Sequence, residues 1–326
     1  MRRTYIILLC LALLGMIALA ASALCGSSGC NASPASDELL WQLRFPRTMS
    51  AFAVGGLLAL SGALMQILLR NPLADPYVLG VSGGAAAGAM GSTLLASAGI
   101  LAFSDQWSVH AGALVGALAA TGLLFGLARR ALLQVAPKSA ESGVRLILTG
   151  VMIASGFGAF ITMMLSMAPD TELRGMIFWL MGDLENSILY GPALTVLGVS
   201  LLWTTVNAAR LNVLAHGDAT AQLLGVPVVR LRISALLAAS IATSAAVTVG
   251  GAIGFVGLVV PHALRLTIGN DQRVLLPAAA LMGGSVLALA DLLARTIVAP
   301  IQLPVGVITA LAGVPLFLML LTRSRA

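Results

Sequence analysis

Arg210-Leu-Asn-Val-Leu-Ala-His-Gly-Asp-Ala-Thr-Ala-Gln-Leu-Leu-Gly-Val-Pro-Val-Val-Arg-Leu-Arg232 is the longest run between two apolar segments that carries helix punctuation. Asp218 can cap a helix N-terminus by accepting from free backbone N–H groups. Ala219 to Leu224 are good helix formers. Gly225 stands where a helix ends on a left-handed residue, and Pro227 then blocks continuation and can start a second turn. The run therefore predicts two short helices around a sharp bend, hung between two hydrophobic spans, with Arg210, Arg230 and Arg232 at the base. A helix this short cannot hold itself up in water, so it is expected to dock into something. An ordinary interfacial loop is the other reading of the same run.

The surroundings make the case for a membrane. Hydrophobic residues are 59% of the chain and charged residues 9%, and the mean hydropathy is +1.00. A soluble domain carries about a quarter charged residues, so this chain cannot clothe itself for water. Spans of about 20 apolar residues are predicted near 4–24, 48–69, 78–98, 108–128, 144–166, 188–209, 233–250, 252–268, 274–294 and 303–322. The eighth contains Pro261 and His262 and is expected to kink or break. The first is read as a retained span, because Leu24 before Cys25 is a poor residue to precede a signal cleavage site.

With both termini in the cytoplasm, 14 of the 18 basic residues fall inside, and Arg44, Arg47, Arg174 and Arg295 fall outside. That is the bias the positive-inside rule demands, and one missed span would scramble it. The expected architecture is all-α: a single membrane domain over residues 1–326 with ten transmembrane helices. The longest outer loops are placed at 25–47 and 168–187. Small residues recur four apart at Gly84/Gly88, Gly112/Gly116, Gly122/Gly126 and Gly250/Gly254, the spacing of closely approaching membrane helices.

Other function classes are poorly served. The net charge of +6 is scattered singly between apolar runs and forms no patch for nucleic acid. The one lysine, Lys138, has no glycine before it, so no phosphate-binding loop of an ATPase can be built. His110, His216 and His262 are far apart, no metal motif is present, and no nucleophile–base pair is visible. Cys25 and Cys30 can pair if their side is oxidising. Within the membrane, Asp291 stands four residues before Arg295, and the two can pair on one helix face. A proton-coupled carrier would need several buried acids or histidines along a path. A secondary carrier or channel is thus disfavoured, and an ATPase docking on 211–232 is the natural energy source.

Several blocks resemble the permease subunits of type II ATP-binding-cassette importers, the cobalamin and ferric-siderophore (FecCD-like) class. They are Gln42-Leu-Arg44-Phe-Pro-Arg47-Thr48, Gly62-Ala-Leu-Met-Gln66, Asn71-Pro-Leu-Ala-Asp-Pro76 followed by Leu79-Gly80-Val-Ser82, Gly250-Gly-Ala-Ile-Gly-Phe-Val-Gly257, Pro261-His262, Arg273-Val-Leu-Leu-Pro277, Ala290-Asp291 and Leu303-Pro-Val-Gly306. They run from about residue 41 to 316 in family order. The resemblance implies an inner-membrane homodimer, two ATPase subunits beneath it that hold ATP and magnesium, a periplasmic binding protein above it, and no cofactor in this chain. The family's coupling helices match residues 216–229, with Asp218 at the start and Ala221-Gln222-Leu223-Leu224-Gly225-Val226-Pro227 as the recognisable core. Arg44, Arg47 and Arg295 match arginines that face carboxylates of the binding protein. For Arg295 the Asp291 pair stays open beside that role. Asn71 and Leu73 match the cytoplasmic gate. The second gate loop, 129–145 with Pro137 and Glu141, matches no residue individually. The implied cargo is a large metal chelate. Cobalamin is slightly favoured over ferric siderophore or haem.

Overall fold

A computed structural model describes residues 2–27, 29–30, 40–100, 105–133, 139–185 and 189–323. The described residues form twelve α-helices: α1 Arg2–Leu24, α2 Phe45–Leu68, α3 Val81–Ser97, α4 Asp105–Leu133, α5 Ser139–Met167, α6 Asp170–Leu180, α7 Tyr190–Ala215, α8 Asp218–Leu223, α9 Val228–Gly250, α10 Val256–Ile268, α11 Gln272–Thr296 and α12 Val305–Arg323. Two short strands, β1 Cys25–Gly26 and β2 Gly29–Cys30, pair antiparallel just after α1, and a disulfide joins Cys25 to Cys30 across them.

Each apolar run read from the sequence overlaps one helix. Seven helices are long and apolar enough to cross a membrane; α10 and α12 are shorter apolar helices, and α3 has 17 residues. Several ends differ from the sequence reading. The charges of 129–145 suggest a long loop, yet α4 and α5 extend through most of it; Pro137 and Lys138 lie outside the described residues. The segment 168–187, expected from the sequence to be an outer loop, contains α6, which Pro169 precedes and whose first turn holds Asp170 and Glu172 at the positive end of the helix. The eighth run is helical from Val256 onward. Residues 251–255 are irregular, with Gly251 at φ 67° and Phe255 at φ 70°, and α10 then continues through Pro261.

Helix α2 is the centre of the molecule. Its apolar window is 94% buried, against 17% for α1 and for α5. A helix that is apolar all round belongs inside, and glycines let its neighbours close on it. A Cβ on Gly55 would run into the Gly283 carbonyl of α11, and one on Gly62 into the Gly257 carbonyl of α10. Against α9, the Ser61 hydroxyl donates to the Ala239 carbonyl (2.9 Å) and shares a hydrogen bond with Thr243 (2.7 Å). Helices α3 and α4 cross through reciprocal glycines, Gly84 on Gly116 and Gly88 on Gly112. Gly122 and Gly126 face open space.

Candidate functional site

The opening stretch forms one short helix, not two. Gly217, at φ 117°, turns the chain out of α7 into α8, which ends after six residues. Gly225, at φ 74°, makes the predicted left-handed bend. Its N–H donates to the Gln222 carbonyl at 2.9 Å, and the Val226 N–H donates to Ala221 at 2.9 Å. Beyond the bend lies no separate second helix. Pro227 precedes the first turn of α9, which runs without a break from Val228 to Gly250. Once proline has set φ at its entry, nothing in Val228–Arg232 stops the helix from joining the span.

Ala221 is buried under this knob and fixes it to the bundle. Gln222, Gly225 and Pro227 are exposed. Leu223 is 89% exposed and Leu224 66%. Two adjacent leucines at a tip tied down by a buried alanine form an apolar surface that nothing among the described residues covers.

Asp218 does not take the capping role its position suggests. The N-cap position belongs to Gly217, and Asp218 is the first residue inside the helix. The carboxylate is buried and faces two guanidinia, Arg232 at 3.4 Å and Arg70 at 3.8 Å. A free N–H is a weaker partner for a buried carboxylate than two cations.

Arg70 opens the turn that contains the gate candidates. The Asn71 side-chain oxygen accepts from the Leu73 N–H at 2.9 Å, and Leu73 is 43% exposed. Asp75 caps the following short helical turn, Pro76–Leu79, by accepting from the Tyr77 N–H. Removal from water pushes the Asp75 carboxyl up to about 6, against the lowering effect of that N–H. The Tyr77 hydroxyl donates to the Ile253 carbonyl (2.7 Å) and accepts from the Ile253 N–H (2.9 Å), clasping the irregular segment between α9 and α10. Between the end of α7 and the start of α11 the Asn212 amide donates to Asp271 at 2.7 Å. That hydrogen bond, ahead of the Arg273 N–H and charge, holds the Asp271 carboxyl below its usual range.

At the opposite end, Arg44, Arg47 and Arg295 do not form a free docking set. Asp291 is fully buried. Arg47 donates from Nε to both its oxygens (3.0 and 3.2 Å) and from Nη1 to Gln302 (2.6 Å). Arg295 Nε lies 3.0 Å from Asp291, and its Nη2 donates to the Ser22 carbonyl and hydroxyl at 2.9 and 2.8 Å. Both guanidinia therefore point inward and bind α1, α2 and α11 together. A buried carboxylate demands such partners, and Asp291 supplies the demand. Arg44 is half-buried and donates to the Leu24 carbonyl at 2.8 Å. Arg174, which the sequence reading placed outside without a role, is exposed on α6 over the Phe178 ring (5.4 Å). Among the described residues no group of His, Cys, Asp and Glu side chains could hold a metal.

Comparison with known proteins bears on this arrangement. A family model described as the FecCD transport family matches residues 4–323. The vitamin B12 import system permease protein BtuC of Escherichia coli O9:H4 (strain HS) is 38% identical over 327 residues, covering 98% of this chain and 95% of the relative. The ABC transporter permease protein YvrB of Bacillus subtilis (strain 168) is 41% identical over 303 residues, 91% of this chain and 82% of the relative. A solved structure of a metal-chelate type ABC transporter in an inward-facing conformation is similar with a TM-score of 0.86 and 28% identity, over 97% of this chain and 99% of that one.

Proposed function

The chain belongs to the FecCD transport family, and we propose that it is the membrane-spanning subunit of an importer driven by separate ATPase subunits. Ten crossings with both termini in the cytoplasm put α8 on the cytoplasmic side and the Cys25–Cys30 disulfide on the outer side, where an oxidising compartment keeps such bonds. The observation that carries this reading is the pair Leu223–Leu224, exposed at the tip of a helix that cannot be stable alone and is suited to a cleft in an ATPase. Hydrolysis, with its ATP and magnesium, belongs to that partner. A second copy of this chain completes the path, and a binding protein delivers cargo at the outer face. Arg44 and Arg174 meet that protein there, while Arg47 and Arg295 hold the wall behind them. The membrane is the bacterial inner membrane.

The cargo is a large metal chelate. Cobalamin is favoured over ferric siderophores or haem by the name of the BtuC relative. An apolar path rich in glycine, alanine and serine leaves selection to the binding protein.

The experiment has two arms. Single cysteines at Leu223 and Thr171, in a Cys10→Ser background, are treated with an impermeant thiol reagent on whole cells. Position 171 is expected to react and position 223 to be shielded. Cobalamin uptake and ATP hydrolysis are then measured in proteoliposomes that hold this subunit, its ATPase and its binding protein. Labelling at 223 from outside would reverse the orientation, and hydrolysis without cobalamin uptake would exclude that cargo.

A further inference from the structure

Arg70 is one of two non-glycine residues at positive φ among the described residues, at φ 46°. Such a backbone persists only where its surroundings over-determine it. Here the surroundings are α8. The Arg70 guanidinium lies at the entry of that helix, so that a Cβ on Gly217 would sit 3.5 Å from its Nη1. It faces the Asp218 carboxylate at 3.8 Å, and Arg232 of α9 faces the other carboxylate oxygen at 3.4 Å. Asp218 is 3% exposed. One buried anion thus joins three pieces of chain: the short helix, the end of α2 with its turn 70–73, and the first turns of α9.

We propose that Asp218 is a positioning residue, an ionic joint through which α8 and the 70–73 turn move as one body. Displacement of Leu223–Leu224 by an ATPase is then delivered to Asn71 and Leu73. This rests on the reading of 216–229 as the coupling element. Helix α8 is too short to transmit force through its own backbone hydrogen bonds. The buried carboxylate supplies the missing stiffness, because separating it from either arginine leaves charge poorly compensated out of water. Arg232, on a long helix, is the fixed side of the joint. Arg70, on a strained turn, is the moving side.

The test uses the complex with its ATPase partner in proteoliposomes, with Leu73→Cys in a Cys10→Ser background. The rate of maleimide modification at position 73 is compared with and without trapping by ATP and vanadate. The parent is expected to show a several-fold change on trapping. Asp218→Asn and Arg70→Met should each bring the ratio of the two rates to about one, with the ATPase still copurifying, and the double variant should be no worse than either. A parent that shows no response, or a single variant that keeps the parent ratio, overturns the joint. So does a double variant in which two partial losses multiply. If Asp218→Asn fails to assemble, Arg70→Met decides alone, since its side chain is at the surface. Leu223→Asp separates the coupling element from the joint. Loss of the response there, with Arg70→Met unchanged, leaves the coupling element standing and removes the joint. A bound ATPase and parent response in Leu223→Asp remove both.

Discussion

Arg47 and Asp291 stand 244 residues apart in the chain and 2.9 Å apart in the fold. Their pair, extended by Arg295, puts two guanidinia on one fully buried carboxylate where α1, α2 and α11 meet. Removing a buried anion strands its cations, whereas removing one of two cations leaves the anion paired. Breaking such a pair costs about 3–5 kcal/mol when a charge is left alone.

Asp291→Ala should therefore lower the thermal midpoint in detergent more than Arg47→Met does, because it takes the shared anion from two arginines, whereas the methionine variant leaves Asp291 paired with Arg295 and deprives only the Gln302 amide oxygen of a donor. Equal midpoints, or the reverse order, would show that the cluster is hydrated and not a structural lock.

The glycine crossings separate by what faces them. A Cβ at Gly88 would enter the Gly112 carbonyl, while one at Gly122 would meet nothing. Gly88→Val should push α3 off α4 and lose about 1–3 kcal/mol, with Gly122→Val within about 0.5 kcal/mol of the parent. Thermal unfolding of the purified subunit checks both, and equal tolerance at the two positions would deny the close crossing.

What could be read from the residues alone divides along these cases. The ten apolar runs were legible because a bilayer forces each one to be long and uncharged. Which of them is central was not. The spans containing α2 and α5 share a hydropathy of 1.9, yet one is 94% buried and the other 17%, because lipid and protein interior ask for the same side chains. The Asp291–Arg295 pair follows from helical spacing, but Arg47 comes from another helix and no local pattern announces it. Asp218 misleads for the same reason. Its position is that of a cap, and the arginines that recruit it are folded in from the turn after α2 and from α9. The bend at Gly225 is local backbone chemistry, and there sequence and structure agree.

Asp75 gives a pH dependence of defined sign. It lies outside the spans, and burial raises its carboxyl from 3.8 to about 6 in the folded chain. Below pH 3.8 both folded and unfolded forms are protonated, so this group contributes nothing. Between that value and about 6 the folded form holds the proton that the unfolded form has lost, so stability falls as pH rises, and above about 6 the full penalty is present. The parent should melt higher at pH 5 than at pH 7. Asp75→Asn keeps an acceptor for the Tyr77 N–H and should remove that difference. A variant with the same pH slope as the parent would assign the slope to another group.

Gly225 isolates the shape of the knob from its packing. Its φ of 74° is left-handed, and no atom lies within 4 Å of where a Cβ would be. A substitution there meets backbone strain and no clash, and a β-branched residue should bear about 1–2 kcal/mol of it. Helix α8 has only six residues and too little stability to absorb that strain. The bend should open and carry Leu223 and Leu224 away from their positions. Gly225→Val is therefore expected to insert normally yet lose uptake, either by releasing the ATPase or by letting hydrolysis run without response to the loaded binding protein. Gly225→Asn is the control, since asparagine tolerates the left-handed region; it should retain most of both activities. Paired uptake and hydrolysis in proteoliposomes, with and without binding protein, give the answer. Full activity in the valine variant would mean that the bend carries no force, and the ATPase would have to dock elsewhere on the cytoplasmic rim.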